Sequence, residues 1–149
     1  HDKGYWFQNG GEWAQHHDHA PLKSFATRLE ELPYIITVGE DQECFNLVHA
    51  EYPRPHKYPL QDIDDDDSSF MLWSRSLHRA YERYRYGLQP EEPIDQALPL
   101  TFCGHTSVSE PGLFRSHYWL DTGCGWWPNG ELTVVEVGEV LKEYAQCRD

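Results

Sequence analysis

Two histidines each follow directly on a short apolar run, and this pattern constrains the fold more than any other. Residues 44–48 lead to His49, and residues 100–104 lead to His105. Runs of this kind predict β-strands, and α/β proteins gather ligating and catalytic groups at strand ends and in the loops that follow them. Neutral imidazole is a ligand for manganese, iron and zinc. We therefore predict that His49 and His105 ligate metal ions that handle phosphate esters.

The charge and cysteine content of the chain narrow the classes of function. The 149 residues carry a formal net charge of −13, which argues against a nucleic-acid-binding surface. No apolar stretch approaches the roughly 18 residues of a membrane span. The four cysteines show no C-x-x-C spacing, so we expect reduced thiols and a cytoplasmic protein. The same net charge repels phosphate, so a phosphoesterase on this chain needs local positive charge from metal ions or arginines.

Hydrophobic periodicity predicts an α+β fold within one domain. The predicted strands are 34–38, 43–48, 100–103, 117–121 and 131–137. The predicted helices are 22–32, 70–84 and 139–146. The first two strands should form a hairpin, and residues 53–67 should form a long surface loop. Asp67 or Ser68 is then predicted to cap the middle helix.

Arg75 allows two interpretations. Guanidinium geometry matches the oxygens of a phosphate group, so Arg75 could clamp a substrate phosphate. However, Arg75, Arg79 and Arg83 repeat at a spacing of four on one face of the predicted helix. Such a face is commonly solvated and paired with carboxylates. Periodicity alone favours the solvated face.

Two further clusters carry less information about function. The aspartates at 64–67 lack the alternating spacing and central glycine of an EF-hand loop. We interpret them as solvated residues that favour the N-terminal end of the following helix. His16, His17 and His19 could chelate a metal adventitiously, although a polar loop explains them more simply.

Seven short runs, taken in order, carry a resemblance to a known family. They are Asn9-Gly10-Gly11-Glu12-Trp13, Glu31-Leu32-Pro33-Tyr34-Ile35-Ile36, Val48-His49-Ala50-Glu51-Tyr52-Pro53, Leu72-Trp73-Ser74-Arg75, Phe102-Cys103-Gly104-His105-Thr106, Leu120-Asp121-Thr122-Gly123 and Leu132-Thr133-Val134. With these runs the chain resembles the later two-thirds of the bacteriophage lambda-type serine/threonine protein phosphatases, within the calcineurin-like metallophosphoesterases. The resemblance implies that residues 1–149 are the C-terminal portion of one such domain.

The resemblance also implies a site and a reaction. His49 and His105 match two histidines that ligate metal, and Arg75 matches an arginine that contacts the substrate phosphate, which reverses the interpretation from periodicity. The implied cofactor is a pair of divalent metal ions, manganese first, with iron or zinc as alternatives. The implied reaction is direct attack of metal-bound water on a phosphoserine, phosphothreonine or phosphotyrosine ester.

The chain departs from the family at its beginning. The family's early motifs supply an aspartate and a histidine, a bridging aspartate, an asparagine and further arginines, and this chain has no counterpart of them. We therefore expect a partial αββα sandwich without its N-terminal part, incomplete catalysis by the chain alone, and self-association through an exposed sheet edge. Because the chain begins with His1 and its one methionine is Met71, we expect it to be part of a longer polypeptide.

Two alternatives to a protein phosphatase stay open. The related symmetrical dinucleoside tetraphosphate hydrolases have similar Gly-His-Thr and Asp-Thr-Gly runs, whereas residues 9–13 and 49–53 favour the protein phosphatase. The second alternative is a non-catalytic interaction module that keeps half of the sandwich. The expected partner of the enzyme is a phosphoprotein or a small phosphoester, with neither nucleic acid nor membrane.

Overall fold

The computed structural model of the chain describes residues 3–17, 19–90, 93–125 and 129–148. The chain divides into two compact units, one that ends at Pro33 and one that begins at Tyr34. The second unit contains a five-stranded sheet together with His49, Arg75 and His105. It is therefore the unit that positions the candidate site.

The first unit is made of short helices. They are α1 (Lys3–Gln8), a 3-10 helix (Gly11–His16) and α2 (His19–Glu30). The last of these confirms the helix predicted over 22–32, but the apolar side chains Phe25 and Leu29 are exposed. Gly10 has a φ of 90°, a conformation that favours glycine and forms the turn before the 3-10 helix. Of the predicted histidine cluster, the side chain of His19 lies outside the described residues.

The second unit is built on a mixed sheet. Its strands are β1 (Ile35–Val38), β2 (Phe45–Val48), β3 (Leu100–Cys103), β4 (Gly112–Phe114) and β5 (His117–Trp119). They lie in the order β1-β2-β3-β5-β4, with β1 and β4 antiparallel to their neighbours and β2, β3 and β5 parallel. Because the three central strands run parallel, their carboxyl ends meet at one edge of the sheet.

Helices cover both faces of this sheet. They are α3 (Asp65–Trp73), α4 (Ser76–Arg85) and α5 (Val137–Gln146). On one face, Tyr81 of α4 stacks on Trp119 of β5 with ring centroids 5.0 Å apart. On the other face, Val140 of α5 joins Leu100 and Phe102 of β3 in a second apolar cluster. Alternate residues of the strands thus pack into apolar clusters on opposite faces of the sheet. The α+β class is confirmed.

The acidic run caps α3, as its interpretation from the sequence required, although the capping residue differs. The N-cap is Asp64 rather than Asp67 or Ser68, and its side chain accepts the Asp67 N–H at 2.8 Å. The Asp67 N–H and other donors lower the pKa of Asp64. Asp67 is buried and paired with Arg54, so the interpretation of all four aspartates as solvated is wrong for this residue. The helix therefore begins earlier than predicted, since the aspartates satisfy its first N–H groups.

The single helix predicted over 70–84 is wrong, because the chain turns between α3 and α4. The hydroxyls of Ser74 and Ser76 both donate to the carboxylate of Glu51, at 2.6 Å and 2.9 Å. Arg75, between the two serines, has φ −131° and ψ 19°, outside the helical region. The residues predicted to form one helix consequently belong to two helices, α3 and α4.

The strand predicted over 131–137 is also wrong. Within the described residues this segment forms one isolated bridge, from Glu131 to Gly123, and α5 already begins at Val137. The helix begins there because the side chain of Glu136 accepts the N–H of Glu139 at 2.8 Å. The other four predicted strands are confirmed, β5 being shorter than expected. No helix in the described ranges has the length and apolar character needed to cross a bilayer.

Candidate functional site

The two predicted histidines lie in contact at the carboxyl edge of the sheet. His49 follows β2 directly, and His105 comes shortly after β3. Nε2 of His49 and Nδ1 of His105 are 3.0 Å apart, and the ring centroids are 4.8 Å apart. At this distance one neutral imidazole donates a hydrogen bond to the other. The structure thus brings the two side chains together, and their binding of a metal stays a prediction.

His105 is held in a rare backbone conformation. Its φ of 67° lies in the left-handed region, where residues other than glycine often mark functional segments. Gly104 connects the loop after β3 to the loop after β2, because its N–H donates to the His49 carbonyl at 2.9 Å. A Cβ on Gly104 would come within 3.4 Å of the Asp121 Cβ. Trp73 packs edge-on against the His105 ring, with centroids 5.6 Å apart.

The surroundings of His105 favour its neutral form. Partial burial lowers the pKa of His105 below its ordinary value of 6.5, and the neighbouring His49 and Arg75 lower it further, while Asp121 opposes them. Nε2 of His105 is buried and has no hydrogen-bond partner among the described residues. A neutral imidazole with an unsatisfied nitrogen is suited to a metal ion or a water molecule.

Arg75 lies beside the histidine pair. It immediately precedes α4, and its Nε donates to Oγ1 of Thr106, the residue after His105, at 3.2 Å. The residue is exposed, so the guanidinium can meet a ligand at the surface. Arg83, two turns further along α4, instead donates to the side chain of Gln89. The turn before α4, rather than a continuous arginine face, determines where Arg75 lies.

Glu51 is a residue of this site that the sequence analysis missed. It is 1% exposed, and besides the Ser74 and Ser76 hydroxyls it accepts the His78 N–H at 2.9 Å. Burial alone raises the pKa of Glu51, but the bonds from Ser74, from the N–H groups of His78 and Leu77, and from Ser76 outweigh burial and lower the pKa below 4.5. The carboxylate is therefore ionised and caps α4 from a distant segment. Its only sequence signal is that an acidic residue comes shortly after β2 and two residues after the predicted ligand His49.

The whole segment that follows β2 is anchored. Ala50 donates its N–H to the Met71 carbonyl at 2.8 Å. Tyr52 donates its N–H to Nε2 of the buried His117 at 3.0 Å. Together with the bonds of His49 and Glu51, these contacts fix four consecutive residues, so the site is built on a rigid segment.

Asp121 organises the loop after β5. Its Oδ1 accepts the Ser107 hydroxyl at 3.1 Å and the Gly123 N–H at 2.8 Å. Its carbonyl accepts the Val108 N–H at 2.8 Å. Gly123 has a φ of 77°, which this turn requires and which favours glycine. Asp121 thereby holds the loop that follows His105 against the loop that follows β5.

A cavity adjoins this edge of the sheet. It has a volume of about 420 Å³, and its lining includes His49, Gly104 and Asp121 together with apolar side chains such as Leu47 and Leu132. The volume lies within the range of small-molecule sites. There is consequently room beside His49 for a group larger than phosphate, although neither His105 nor Arg75 lines this cavity.

The described residues supply two nitrogen donors for a metal but not a complete centre. No group of three or more His, Cys, Asp or Glu side chains placed to hold an ion occurs in the parts of the chain that the structure describes. Catalytic zinc sites use three protein ligands, and a two-ion site needs more. The histidine pair fits part of the ligand set that the resemblance implies, and it does not form a two-metal centre by itself.

Comparison with known proteins adds no family assignment. The chain matches no family model, and no curated protein matches it. The ordered motifs and the geometry of His49, Arg75 and His105 are therefore the features that bear on function.

Proposed function

We propose that this chain carries the histidine and arginine part of a metal-dependent phosphoesterase site. The proposed substrate is a phosphoserine or phosphothreonine ester of a protein, and the proposed cofactor is a pair of divalent ions, manganese first. The observation that supports the proposal is the meeting of three side chains from separate segments. His49 and His105 are in contact, and Arg75 is bonded to the residue after His105.

The chemistry of these side chains suits a phosphate ester. The chain has a net charge of −13, so a phosphate group needs a local cation, and an exposed guanidinium offers paired donors to phosphate oxygens. Imidazoles in the neutral form are ligands for divalent ions. When bound, such ions would polarise the phosphoryl oxygens and activate a water molecule. His49 and His105 would supply part of the ligand set for such ions, and Arg75 would orient the phosphate.

A second candidate function is a phosphate-binding module without catalysis. It is favoured by the ligand count, because two imidazoles cannot hold two ions and the described residues offer no third ligand in the same group. A catalytic centre that includes His49 and His105 requires carboxylate ligands from outside this pair. Under either candidate, Arg75 is the residue that contacts phosphate.

The variant Arg75→Ala tests this shared claim. We expect it to lower the affinity for inorganic phosphate, measured by calorimetry, about tenfold or more, since hydrogen bonds to a charged group contribute about 1.5–3 kcal/mol. Arg79→Ala is the matched control, because it removes an exposed arginine one turn further along α4 and should leave the affinity unchanged. Equal affinity of the wild type and Arg75→Ala would refute the proposal.

The same assay separates the two enzymatic interpretations. A phosphothreonine peptide should displace inorganic phosphate at lower concentration than a symmetrical dinucleoside tetraphosphate does. The reverse order would favour the dinucleoside tetraphosphate hydrolase.

A further inference from the structure

We infer that Glu51 is a positioning residue that sets the phosphate affinity of this site by holding the turn that carries Arg75. The inference rests on the proposed function, since it assigns Glu51 a role through Arg75. It concerns a side chain that has no predicted contact with phosphate or metal.

Hydrogen bonds compensate the cost of burying the Glu51 carboxylate. An ionised carboxylate that is 1% exposed is costly unless hydrogen bonds satisfy its oxygens. Its hydrogen bonds in the described structure come from residues 74–78, the turn before α4 and the first turn of that helix. The described hydrogen bonds of the carboxylate thus all come from one short segment that is distant in sequence.

The bonded segment has Arg75 at its centre. Ser74 and Ser76, on either side of Arg75, both donate to the same oxygen of Glu51, Oε2. The two serines are also bonded to each other, because the Ser76 N–H donates to the Ser74 hydroxyl at 3.2 Å. The non-helical backbone of Arg75 is therefore fixed from both sides, and the direction in which its side chain leaves the backbone is fixed with it.

The segment that contains Glu51 also contacts the histidine pair. Glu51 lies two residues after His49, whose carbonyl is bonded to the residue before His105. One short segment thus contacts both the histidine loops and the arginine turn. Without the carboxylate, Ser74 and Ser76 lose their acceptor in this segment, and the Arg75 side chain keeps its described bond to Thr106 at 3.2 Å.

A capping residue that only stabilises α4 would behave differently from a positioning residue. Stabilisation alone would change phosphate affinity by a similar factor whether or not Arg75 is present. Positioning through Arg75 predicts that the effect vanishes once the guanidinium is removed. A double-mutant cycle distinguishes these two roles, because residues that act through one another are not additive.

The experiment measures inorganic phosphate affinity for Glu51→Ala and Glu51→Gln, each with Arg75 and with Arg75→Ala. We expect Glu51→Ala to lower the affinity about tenfold when Arg75 is present. Glu51→Gln should lower it less, because the amide oxygen still accepts the His78 N–H. Neither substitution should change the residual affinity of Arg75→Ala.

Ser74→Ala keeps the test decisive if Glu51→Ala does not fold. It removes one donor to the carboxylate and leaves the helix N–H groups in place, so the phosphate affinity should fall several-fold. Ser68→Ala is its control, since that hydroxyl donates to the Asp65 carbonyl within α3. Folding of each variant is checked by near-ultraviolet circular dichroism.

The outcomes separate the inference from the proposed function. If Arg75→Ala leaves phosphate affinity unchanged, the proposed function fails and the inference fails with it. If Arg75→Ala weakens binding but folded Glu51→Gln and Ser74→Ala both bind like the wild type, the inference alone is overturned. An equal loss from the Glu51 variants with and without Arg75 also overturns it, because the role is then structural.

Discussion

His117 shows how a single buried imidazole couples this fold to pH. The side chain is fully buried, and Nε2 accepts the N–H of Tyr52, next to Glu51. Burial lowers the pKa of His117 to about 4, with Glu51 opposing the shift and Arg115 adding to it. The neutral ring is therefore part of the anchor that holds the segment after β2.

We expect the chain to lose stability in acid through His117. Between pH 6.5 and about 4 the unfolded histidine binds a proton that the folded one excludes. The free energy of unfolding should therefore fall by up to about 3 kcal/mol as the pH falls through this range, and the contribution is fully present above pH 6.5. Urea unfolding at a series of pH values measures it. His117→Gln should flatten the dependence of the free energy of unfolding on pH, whereas His56→Gln, at an exposed histidine, should not. An unchanged pH dependence in His117→Gln would contradict the role assigned to His117.

The sequence suggested individual residues of the candidate site where the pattern that marks them is local. His49 and His105 follow apolar runs, so the residue pattern alone suggested them, while Arg75 needed the family resemblance. Glu51 could not be predicted, because its role arises from contact with a turn more than twenty residues away. The positive φ of His105 likewise has no sequence signal.

One tyrosine hydroxyl adds hydrogen bonds to the apolar packing of α5 on the sheet. Tyr144 is buried, and its Oη donates to the Leu98 carbonyl at 2.6 Å and to the Ser116 hydroxyl at 3.0 Å. Leu98 and Ser116 are also buried. The hydroxyl thus satisfies buried acceptors at the base of the sheet.

Tyr144→Phe should destabilise the fold by about 1–3 kcal/mol, because it leaves the Leu98 carbonyl without this donor. The decrease is measured as the change in free energy of unfolding in urea. Tyr118→Phe is the matched control: it lies in the same apolar cluster, and its hydroxyl has no described hydrogen bond. Equal stability of the two variants would show that the Tyr144 bond contributes nothing.

Strands were predicted correctly where the hydrophobic period and the length of the segment both indicated a strand. The hairpin β1–β2 and the strand β3 follow from their residues, whereas β4 has three residues including Gly112 and was missed. The loop between β4 and β5 contains Arg115 with a φ of 54°, in place of the usual glycine or asparagine signal. Residues 131–137 have strand-like composition, but strand pairing depends on a partner that composition does not specify.

The second unit exposes an apolar strip on the edge strand β1 and its neighbour β2. Ile36 is 48% exposed, Val38 40% and Leu47 38%, and the strand register places these side chains on one face. β1 forms an edge of the sheet. Apolar edge strands without charged side chains promote edge-to-edge pairing, while the net charge of −13 opposes association.

We expect the chain to self-associate through β1, and to do so more strongly as salt screens the net charge. Ile36→Lys should reduce association, measured by sedimentation velocity at several salt concentrations, because lysine on an edge strand disfavours pairing. Leu88→Lys makes the same charge change at an exposed apolar residue outside the sheet and should have no such effect. A monomer at all salt concentrations would contradict this expectation.

At the scale of the fold, the α+β class and the meeting of strand ends could be predicted from periodicity. The division into two units could not, since neither a linker nor a composition change marks Pro33. The partial αββα sandwich stays a proposal, as does the family that suggested it.

The proposed function requires that His49, His105 and Arg75 act on the same ligand. Calorimetric titration of inorganic phosphate with and without Mn²⁺ tests it most directly, because two ligands that share a site are thermodynamically coupled. We expect Mn²⁺ to tighten phosphate binding by the wild type, and we expect this enhancement to be lost in both His49→Ala and His105→Ala. Phosphate affinity that does not depend on Mn²⁺, or an enhancement that survives in both histidine variants, would contradict it.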